Sequence, residues 1–452
     1  MEKQSPSSIF HAIYVDENQC IGCTRCMKIC STAAIRICNG TAMISNSRCI
    51  DCGECIKACN SNAIHISQGD LQSIFKYKYR VALIPAVLFG QFKLDVTHDD
   101  LHRALLSLGF TSVYEEELSA EFQIDAIRRF QQESDIKPVI SSFCPAIVRL
   151  IQVKFPTLTE NLVLVKSLID ITGLTILKEA ADKGIDPSDV GIFYITPCAA
   201  KICAVVSPVG DEKSPITGFL NMDMMFDRLS IELQKIKGTV DPDFKRKTSL
   251  TRTEVKWSLT GGEIKHAFGR KLSIDGIANV IEFLNKVDDE AIDDIDFLEL
   301  RACDQGCAGG ILTQGNRFLT VEKLMMRANK KTVNKRHGPY YSDITYDEIK
   351  VPTVNPRPIE GLDKDISVAI KKMEQKQEIY KMLPQLDCGC CGCPTCEAFS
   401  EDVVKSLKPL SSCMFIQVAF NSKNDKGKEI IRRIWGDSKI VEELKNKLEN
   451  DN

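Results

Sequence analysis

The sequence predicts an α/β protein whose main domain has sheets flanked by helices, with a small cysteine-rich domain at each end. Two observations support this prediction. In the middle of the chain, short apolar strands alternate with longer helices, which is typical of a largely parallel sheet. Near both ends, cysteines recur every few residues. A chain of 452 residues is also long enough for two to four domains.

The elements of the central region begin near residue 81. Strands are predicted at VALIPAV, KPVISSF, DVGIFYITP and DFLELRA, and helices at DDLHRALLSLGF, DAIRRFQQES, SLIDITGLTILKEAADKG and IDGIANVIEFLNKV. Cysteine-bearing turns follow three of these strands, in SSFCP, TPCAAK and RACDQGCAGG. Because open α/β sheets bind ligands at the carboxyl ends of their strands, we expect these cysteines to converge on one point.

Composition and charge argue against several classes of protein. The net charge of −3 favours neither nucleic acid nor an anionic membrane as a partner. The longest apolar stretch, VALIPAVLF, is far shorter than a membrane span, and the first ten residues lack the apolar segment of a signal peptide. We therefore expect a cytoplasmic protein. Twenty cysteines in a reducing compartment indicate metal ligands rather than disulfides.

The first cysteine group contains the spacing C-x2-C-x2-C-x3-C twice. This spacing is typical of bacterial ferredoxins with two [4Fe–4S] clusters, in which the last cysteine of each run ligates the other cluster. One predicted cluster has the ligands Cys20, Cys23, Cys26 and Cys59. The other has the ligands Cys49, Cys52, Cys55 and Cys30. Residues 1–67 are predicted to form this α+β ferredoxin-like domain, and residues 68–80 a helical linker.

The central turns contain Cys144, Cys198, Cys303 and Cys307. Four thiolates are enough to hold a [4Fe–4S] cluster, and the glycines around Cys307 would let the backbone approach a bulky inorganic group. Lys201 could donate hydrogen bonds to an anionic ligand. The alternative is that these are buried structural cysteines of an ordinary α/β domain.

These turns resemble the three signature motifs of [FeFe]-hydrogenases, in the order of that family and directly after a ferredoxin-like unit. The resemblance covers roughly residues 81–325 and includes IPAV, LTGGE and DFLELRAC. It implies a two-lobed α/β catalytic domain over residues 81–351 that holds the H-cluster, a [4Fe–4S] cubane joined to a di-iron unit with CO and cyanide ligands. It also implies reversible H2 oxidation and proton reduction, with a redox partner such as ferredoxin.

The resemblance assigns roles to individual residues. All four central cysteines would bind the cubane, and Cys307 would also bridge to the di-iron unit. Lys201 and the backbone around Pro197 would hold cyanide ligands. Ile84 and Pro85 would line the di-iron unit.

Two positions depart from the family pattern. The family's first motif has two adjacent cysteines, and the first of them delivers protons; Phe143 occupies that position here. Thr196 stands where the second motif usually has methionine. A positioned acid typically contributes ~10²–10⁴-fold to a rate, so its loss predicts low turnover. Candidate replacements are Glu117, Glu121, or Glu263 with His266.

Such departures are known among sensory members of the family. The sequence therefore favours H2 or redox sensing, with a separate kinase or phosphatase as signalling partner. The alternative is a non-catalytic protein that binds only [4Fe–4S] clusters, as an assembly factor or a redox-signalling scaffold.

The C-terminal segment LPQLDCGCCGCPTCEAF resembles the small [4Fe–4S] domain of Rnf-complex subunits and corrinoid proteins. By that pattern the ligands are Cys388, Cys391, Cys396 and Cys413. Cys390 and Cys393 occupy variable positions and are expected to be bystanders. A zinc site is the alternative, since four thiolates also suit Zn²⁺. Residues 352–452 are predicted to contain a connector, this small helical domain and charged helices after it.

The histidines show little ligand spacing. His98 and His102 are four residues apart but lack the glutamate and the further ligand of a zinc helix, so they are expected on a solvated helix face. A glycine-rich phosphate loop is also missing from the sequence, which argues against nicotinamide or flavin binding.

Overall fold

The computed structural model describes residues 10–210, 213–238, 244, 246, 248–289, 292, 294–330, 344–357 and 361–420. The charged helices predicted after residue 420 lie outside the described residues. Two units have dense internal contacts. The larger consists of Met1–Ile13, Ile50–Gly53 and Ile66–Arg357, and the smaller of Tyr14–Cys49, Glu54–His65 and Pro358–Asn452. Among the described residues, no helix is long and apolar enough to cross a membrane.

The strands and helices are numbered along the chain. The strands are β1 (Ile13–Val15), β2 (Ile35–Cys38), β3 (Thr41–Ile44), β4 (Ile64–Ile66), β5 (Tyr79–Ile84), β6 (Ser112–Glu115), β7 (Val139–Ile140), β8 (Val190–Thr196), β9 (Gly218–Asn221), β10 (Lys271–Asp275) and β11 (Phe297–Arg301). The α-helices are α1 (Arg25–Ile29), α2 (Glu54–Ala58), α3 (Val87–Gln91), α4 (His98–Ser107), α5 (Ala120–Glu133), α6 (Pro145–Lys154), α7 (Leu168–Asp182), α8 (Ala199–Val206), α9 (Met222–Ile236), α10 (Arg252–Lys256), α11 (Ile277–Asp288), α12 (Arg317–Asn329), α13 (Tyr346–Ile349), α14 (Ile366–Met382), α15 (Cys396–Val404) and α16 (Met414–Phe420).

Two parallel sheets form the larger unit, as the alternation of strands and helices predicted. One has the strand order β6-β5-β8-β9 and the other the order β10-β11-β7. Every residue of β8 is buried, because a parallel strand in the middle of a sheet is covered on both faces. The predicted strand KPVISSF contributes only the two residues of β7, since the chain leaves the sheet at Ser141 to form the cysteine turn.

Helix α4 shows where the sequence prediction was wrong. His98 and His102 were expected on a solvated face, but only 8% and 3% of their surfaces are exposed. The His98 ring stacks on Phe89 with a centroid distance of 3.8 Å, and His102 Nε2 lies 3.2 Å from Glu115 Oε1. The helix buries this face against β6 and α9, a choice that helical periodicity alone does not reveal.

Four residues of the second cysteine run, Ile50–Gly53, belong to the larger unit. Ile50 is part of the apolar core there, and Asp51 is 1% exposed beside it. One carboxylate oxygen of Asp51 lies 2.7 Å from both Arg149 Nη1 and His11 Nδ1. The other accepts a 3.0 Å hydrogen bond from the backbone N–H of Ala12. Burial favours a higher pKa for Asp51, but the hydrogen bond and charge of His11 and the charge of Arg149 outweigh it and lower that pKa.

We expect Asp51→Asn to reduce the free energy of unfolding by about 3–5 kcal/mol, because it leaves the buried Arg149 without its counter-ion. The lowered pKa means that the carboxylate stabilises the wild-type fold above its ordinary pKa, and that this stabilisation is lost as the pH falls through the lowered value. Denaturant titrations at several pH values measure both effects. The control is Asp186→Asn, which changes an exposed carboxylate that caps a surface turn. Equal midpoints for the two variants would contradict the expectation.

The smaller unit has the predicted repeat. Cys30 Sγ accepts a 3.3 Å hydrogen bond from the backbone N–H of Ala34, and Cys59 Sγ accepts an equal bond from Ala63. Each bond fixes the last cysteine of a run to the turn that leads into the following strand, β2 or β4. The two halves of the ferredoxin-like domain therefore have the same local geometry.

Candidate metal centre

The central cysteines lie where strands give way to helices or turns. Cys144 precedes α6 and Cys198 precedes α8, while Cys303 and Cys307 lie in the turn after β11. Burial, and then the nearby Cys144 thiol, raise the pKa of Cys198 to about 11. Burial and the Cys198 thiol likewise raise the pKa of Cys307 to about 12. Cys144, Cys198 and Cys307 are thus brought together, and Cys303 begins the loop that carries Cys307.

Phe143 lies inside this site rather than at its edge. Its side chain is 5% exposed and packs in one cluster with Trp257 and Cys307. Two cations face its ring. The Lys201 ammonium is 4.9 Å from the ring centroid, and the Arg301 guanidinium carbon is 4.2 Å from it.

Lys201 is held by buried polar groups. Its Nζ lies 2.5 Å from Glu116 Oε1 and 3.1 Å from the Tyr194 hydroxyl. Burial lowers the pKa of Lys201, but the charges of Glu116 and the Cys307 thiolate outweigh it and raise that pKa. The ammonium therefore stays charged next to the thiols.

Glu117 lies beside the turn that contains Ile84 and Pro85. Both of its carboxylate oxygens are 2.8 Å from the backbone N–H of Ala86. Burial and the neighbouring charge of Glu116 raise the pKa of Glu117 well above its usual range. Glu121, the other early candidate, lies in the first turn of α5 and is only partly buried.

Glu263 is a buried acid that is far from Phe143 in the sequence but linked to its backbone through Ser141. Ser141 Oγ donates a 2.6 Å hydrogen bond to Glu263 Oε2, and the backbone N–H of Phe143 donates a 3.2 Å bond to Ser141 Oγ. Burial raises the pKa of Glu263 to about 7, against the nearby charge of Arg301. The His266 ring lies against Trp257, with a centroid distance of 5.6 Å.

Thr196 and Pro197 shape the turn before α8. The Thr196 hydroxyl donates a 2.8 Å hydrogen bond to the Cys198 carbonyl, and it accepts one of 3.3 Å from the Cys198 N–H. The Pro197 carbonyl accepts a 3.0 Å hydrogen bond from Leu312. Both residues therefore bind neighbouring backbone and fix the position of Cys198.

The residues around the thiols fit an anionic inorganic cluster. Thiols supply ligands, Lys201 and Arg301 supply positive charge, and several buried polar atoms of the described residues lack a hydrogen-bond partner. Those atoms are Arg301 Nε and Nη1, Trp257 Nε1, Ser258 Oγ and Glu116 Oε2. Such atoms are costly unless a further group pairs with them.

Close backbone packing also supports this site. A Cβ atom on Gly310 would lie 2.5 Å from the Pro197 carbonyl oxygen and 3.1 Å from that of Cys307. Gly306 has a positive φ of 63°, and a Cβ there would lie 2.5 Å from the Ser258 carbonyl oxygen. Only glycine lets these loops meet around Cys307.

With a [4Fe–4S] cluster at each of the four predicted sites, we expect Gly310→Ala to reduce the iron bound per protein by about a quarter, because the added methyl group must push apart the loops that carry Cys198 and Cys307 and only the central cluster is lost. Iron analysis after reconstitution measures this. Gly361→Ala, at an exposed position outside the left-handed region where the nearest atom to a Cβ is the Asp363 carbonyl oxygen at 3.3 Å, is the control for a simple glycine replacement. Normal iron content in Gly310→Ala would show that the loops can separate without loss.

The predicted ligands of the first N-terminal cluster lie near one another. Burial, and then the nearby thiols of Cys20, Cys23 and Cys59, raise the pKa of Cys26 to about 11. The four predicted ligands of the first cluster are therefore neighbours. Of the second set, Cys52 packs against the core of the larger unit, as do Cys144 and Cys198.

The predicted C-terminal ligands also come together. Cys388, Cys391, Cys396 and Cys413 line one small cavity. Burial and the Cys391 and Cys388 thiols raise the pKa of Cys413. Cys393 also lines this cavity, but its thiol donates a 3.1 Å hydrogen bond to Asp402 Oδ2. Cys390 is exposed.

Within the smaller unit, the C-terminal cysteine domain packs on the first ferredoxin half. Arg36 binds Asp402 through Nε at 2.7 Å and Nη2 at 3.2 Å. Arg48 Nη2 lies 2.7 Å from Glu401 Oε1. The backbone N–H of Ile37 donates a 2.9 Å bond to the Gly392 carbonyl. Sequence reasoning did not find this interface.

A second set of contacts reaches the cysteine loops themselves. Lys28, between Cys26 and Cys30 on the chain, donates to the carbonyl oxygens of Asp387 and Pro394. Lys408 Nζ donates to the Cys391 carbonyl at 2.7 Å. The loop that holds the C-terminal thiols therefore lies directly against α1, which carries Cys26.

Fold and site together define an iron–sulfur protein with an α/β cluster-binding domain. Residues 79–271 match the family model for the iron-only hydrogenase large subunit, C-terminal domain. Residues 13–36 match a 4Fe-4S binding domain, and residues 383–415 match an Fe–S cluster family. The central region of the chain is therefore similar to the [FeFe]-hydrogenase family.

Individual proteins show the same similarity. The chain is 32% identical over a 220-residue alignment to the periplasmic [Fe] hydrogenase large subunit of Nitratidesulfovibrio vulgaris, and the match covers 44% of this chain and 52% of that protein. It thus spans about half the length of this relative. The structure of HydA(deltaEFG) matches with a TM-score of 0.50 and 15% identity over 64% of this chain and 98% of that one. A variant of HydA1 from Chlamydomonas reinhardtii matches with a TM-score of 0.50 and 14% identity, over the same shares. These structural matches show a common fold.

Proposed function

We propose that this protein is an [FeFe]-hydrogenase of low turnover that interconverts H2 with protons and electrons and senses H2 or redox state. The observation that carries the proposal is the converging set of thiols beside Lys201, with Phe143 where a proton-carrying thiol is expected. The bound groups would be two N-terminal [4Fe–4S] clusters, an H-cluster and one C-terminal [4Fe–4S] cluster. When bound, the H-cluster supplies the iron chemistry for 2H⁺ + 2e⁻ ⇌ H2.

The residues of the site have complementary tasks in this proposal. Cys144, Cys198 and Cys303 hold the cubane, and Cys307 holds it and joins it to the di-iron unit. Lys201, kept charged by Glu116, binds a negative ligand, and the backbone around Pro197 assists it. Ile84 and Pro85 close the apolar side. Phe143 excludes water and cannot pass on a proton.

Protons would then reach the site slowly and by another route. Glu263 is the best-placed acid for this task, since its pKa of about 7 lets it gain and lose a proton near neutral pH. Its proton can pass to Ser141, which is hydrogen-bonded to both Glu263 and the backbone of Phe143. Glu117 is less suitable because its raised pKa keeps its proton bound.

Electrons would travel through the other cysteine groups. Cys52 is in the same core as Cys144 and Cys198, so the cluster that it ligates would exchange electrons with the cubane. The C-terminal thiols lie against α1, which supports an electron exit at that domain. A ferredoxin-type donor and a signalling kinase or phosphatase would be the partners.

Infrared spectroscopy of protein produced with the H-cluster maturation enzymes tests the proposal. We expect CO and cyanide stretching bands, together with H2 turnover well below that of a catalytic hydrogenase measured in parallel. Protein produced without the maturation enzymes should lack the bands and still contain [4Fe–4S] clusters. Bands missing from matured, iron-replete protein would favour the non-catalytic alternative, in which only cubanes bind.

A further inference from the structure

We infer that Arg301 is a second cationic ligand-binding residue of the central site, which hydrogen-bonds the anionic inorganic group there and stabilises its reduced state. The inference rests on the proposed function in that the inorganic group is the cluster held by the central cysteines. Arg301 stands in the third motif, but the family resemblance assigns it no role.

The position of Arg301 is the first part of the argument. It ends β11, two residues before Cys303, and only 1% of its surface is exposed. Its guanidinium lies over the Phe143 ring at 4.2 Å, on the ring that Lys201 also faces. It is close enough to the thiols of Cys307 and Cys144 that its charge and theirs affect each other.

The hydrogen bonds of Arg301 are the second part. A guanidinium has five N–H donors. Within the described part of the chain, Nη2 alone has partners: the Trp257 carbonyl at 3.3 Å, Glu263 at 3.1 Å and Glu299 at 3.4 Å. Nε and Nη1 are buried without any partner among those residues. Leaving buried charged donors unpaired costs about 1–3 kcal/mol or more, so an acceptor is expected to occupy the site.

A purely structural role does not account for these donors. Arg301 pairs with Glu263 and Glu299 through Nη2 alone. Such a counter-ion role leaves Nε and Nη1 without an acceptor among the described residues. Cys144 and Cys307 also lie near Arg301, and a cluster bound to them would present sulfide or cyanide acceptors. Lys201 has at most one N–H left for the same group, because its ammonium already binds Glu116 and Tyr194.

The test compares wild-type protein, Arg301→Met and Arg301→Lys after full maturation, by infrared spectroscopy and by redox titration of the central cluster followed by electron paramagnetic resonance. In Arg301→Met we expect one cyanide band to move to lower wavenumber and the midpoint potential to fall, since a positive charge near the reduced cluster is lost. Arg301→Lys retains the positive charge but loses the planar guanidinium. Its midpoint potential should therefore stay near the wild-type value, whereas its cyanide band should still shift.

Arg327→Met is the matched control. Arg327 is also buried, but it binds the backbone carbonyls of Val96 and Lys93, and Asp95, not a cysteine, is the charged group that affects its pKa. It should change neither the bands nor the potential. If Arg301→Met fails to fold, the double variant Glu263→Gln/Arg301→Met removes the unpaired carboxylate and is measured instead.

The outcomes separate this inference from the proposed function. Wild-type protein without cyanide bands would contradict the hydrogenase assignment, but the cubane potential would still have to fall in Arg301→Met. If the wild-type protein has the expected bands and Arg301→Met changes neither the band positions nor the potential, the inference is overturned and the hydrogenase assignment stands.

Discussion

Replacing Phe143 with cysteine is expected to raise H2 turnover by about 100-fold, at the lower end of what a positioned proton donor contributes. The new thiol would stand at the one point of the site where a ring now blocks proton transfer. The backbone N–H of residue 143 already binds Ser141, which in turn donates to Glu263. A protonatable group there would connect this acid to the interior of the site.

The replacement also has a cost in stability. Phe143 fills a buried space beside Trp257 and Cys307, and loss of most of a buried phenyl ring typically costs about 3–5 kcal/mol. Turnover must therefore be normalised to the amount of assembled H-cluster. Infrared band intensities provide that normalisation.

Phe143→Ala separates the two effects. It opens a similar cavity and gives water the same access, but it carries no proton. We expect Phe143→Ala to be destabilised to a similar degree while its turnover per cluster rises much less than that of Phe143→Cys. Equal turnover in the two variants would show that water in the cavity, not the thiol, carries the protons.

Local patterns made much of this protein predictable from its sequence. The spacing of the N-terminal cysteines predicted the repeated ferredoxin-like loops, because such a loop is a local structure. The alternation of strands and helices predicted the parallel sheets. Cys144 and Cys307 could be expected to meet because β7 and β11 are neighbours whose carboxyl ends lie at the same edge of one sheet, whereas Cys198 follows β8 of the other sheet and only the fold shows that it joins them. Each of these inferences needs only neighbours along the chain or a general rule of sheet topology.

What depends on tertiary packing was missed. The sequence gives Arg301 no role beyond ending a strand, and only the fold shows that it lies buried over the Phe143 ring. The prediction of a solvated face for His98 and His102 was wrong, because the periodicity of an amphipathic helix does not show which of its faces a neighbouring element covers. The prediction that Cys393 is not a cluster ligand stays a prediction, but nothing in the sequence indicated that its thiol donates to Asp402, which also binds Arg36. A charged residue at the end of a buried strand is the one signal that could have found Arg301.

The contact between the C-terminal domain and the ferredoxin half leads to the second large expected effect. Asp402 receives two hydrogen bonds from Arg36 and one from Cys393, and both side chains of the ion pair are mostly buried. Asp402→Asn keeps the shape but removes the charge, so Arg36 loses its counter-ion. Breaking a buried pair in this way costs about 3 kcal/mol or more, which corresponds to roughly a 100-fold shift in the equilibrium between attached and detached domains.

Hydrogen exchange at the backbone N–H of Ile37 reports this detachment directly, because that N–H donates to the Gly392 carbonyl of the C-terminal domain. We expect it to exchange about 100-fold faster in Asp402→Asn, in line with the loss of about 3 kcal/mol. The control is Asp363→Asn, which removes an exposed partner of Lys372 in the same domain and should leave Ile37 protected. Unchanged protection of Ile37 in Asp402→Asn would mean that Arg48, Lys28 and Lys408 hold the domains together without this pair. In the proposed electron route, faster exchange at Ile37 should be accompanied by weaker magnetic coupling between the C-terminal cluster and the cluster bound by Cys26. Detachment without that loss would place the electron exit elsewhere.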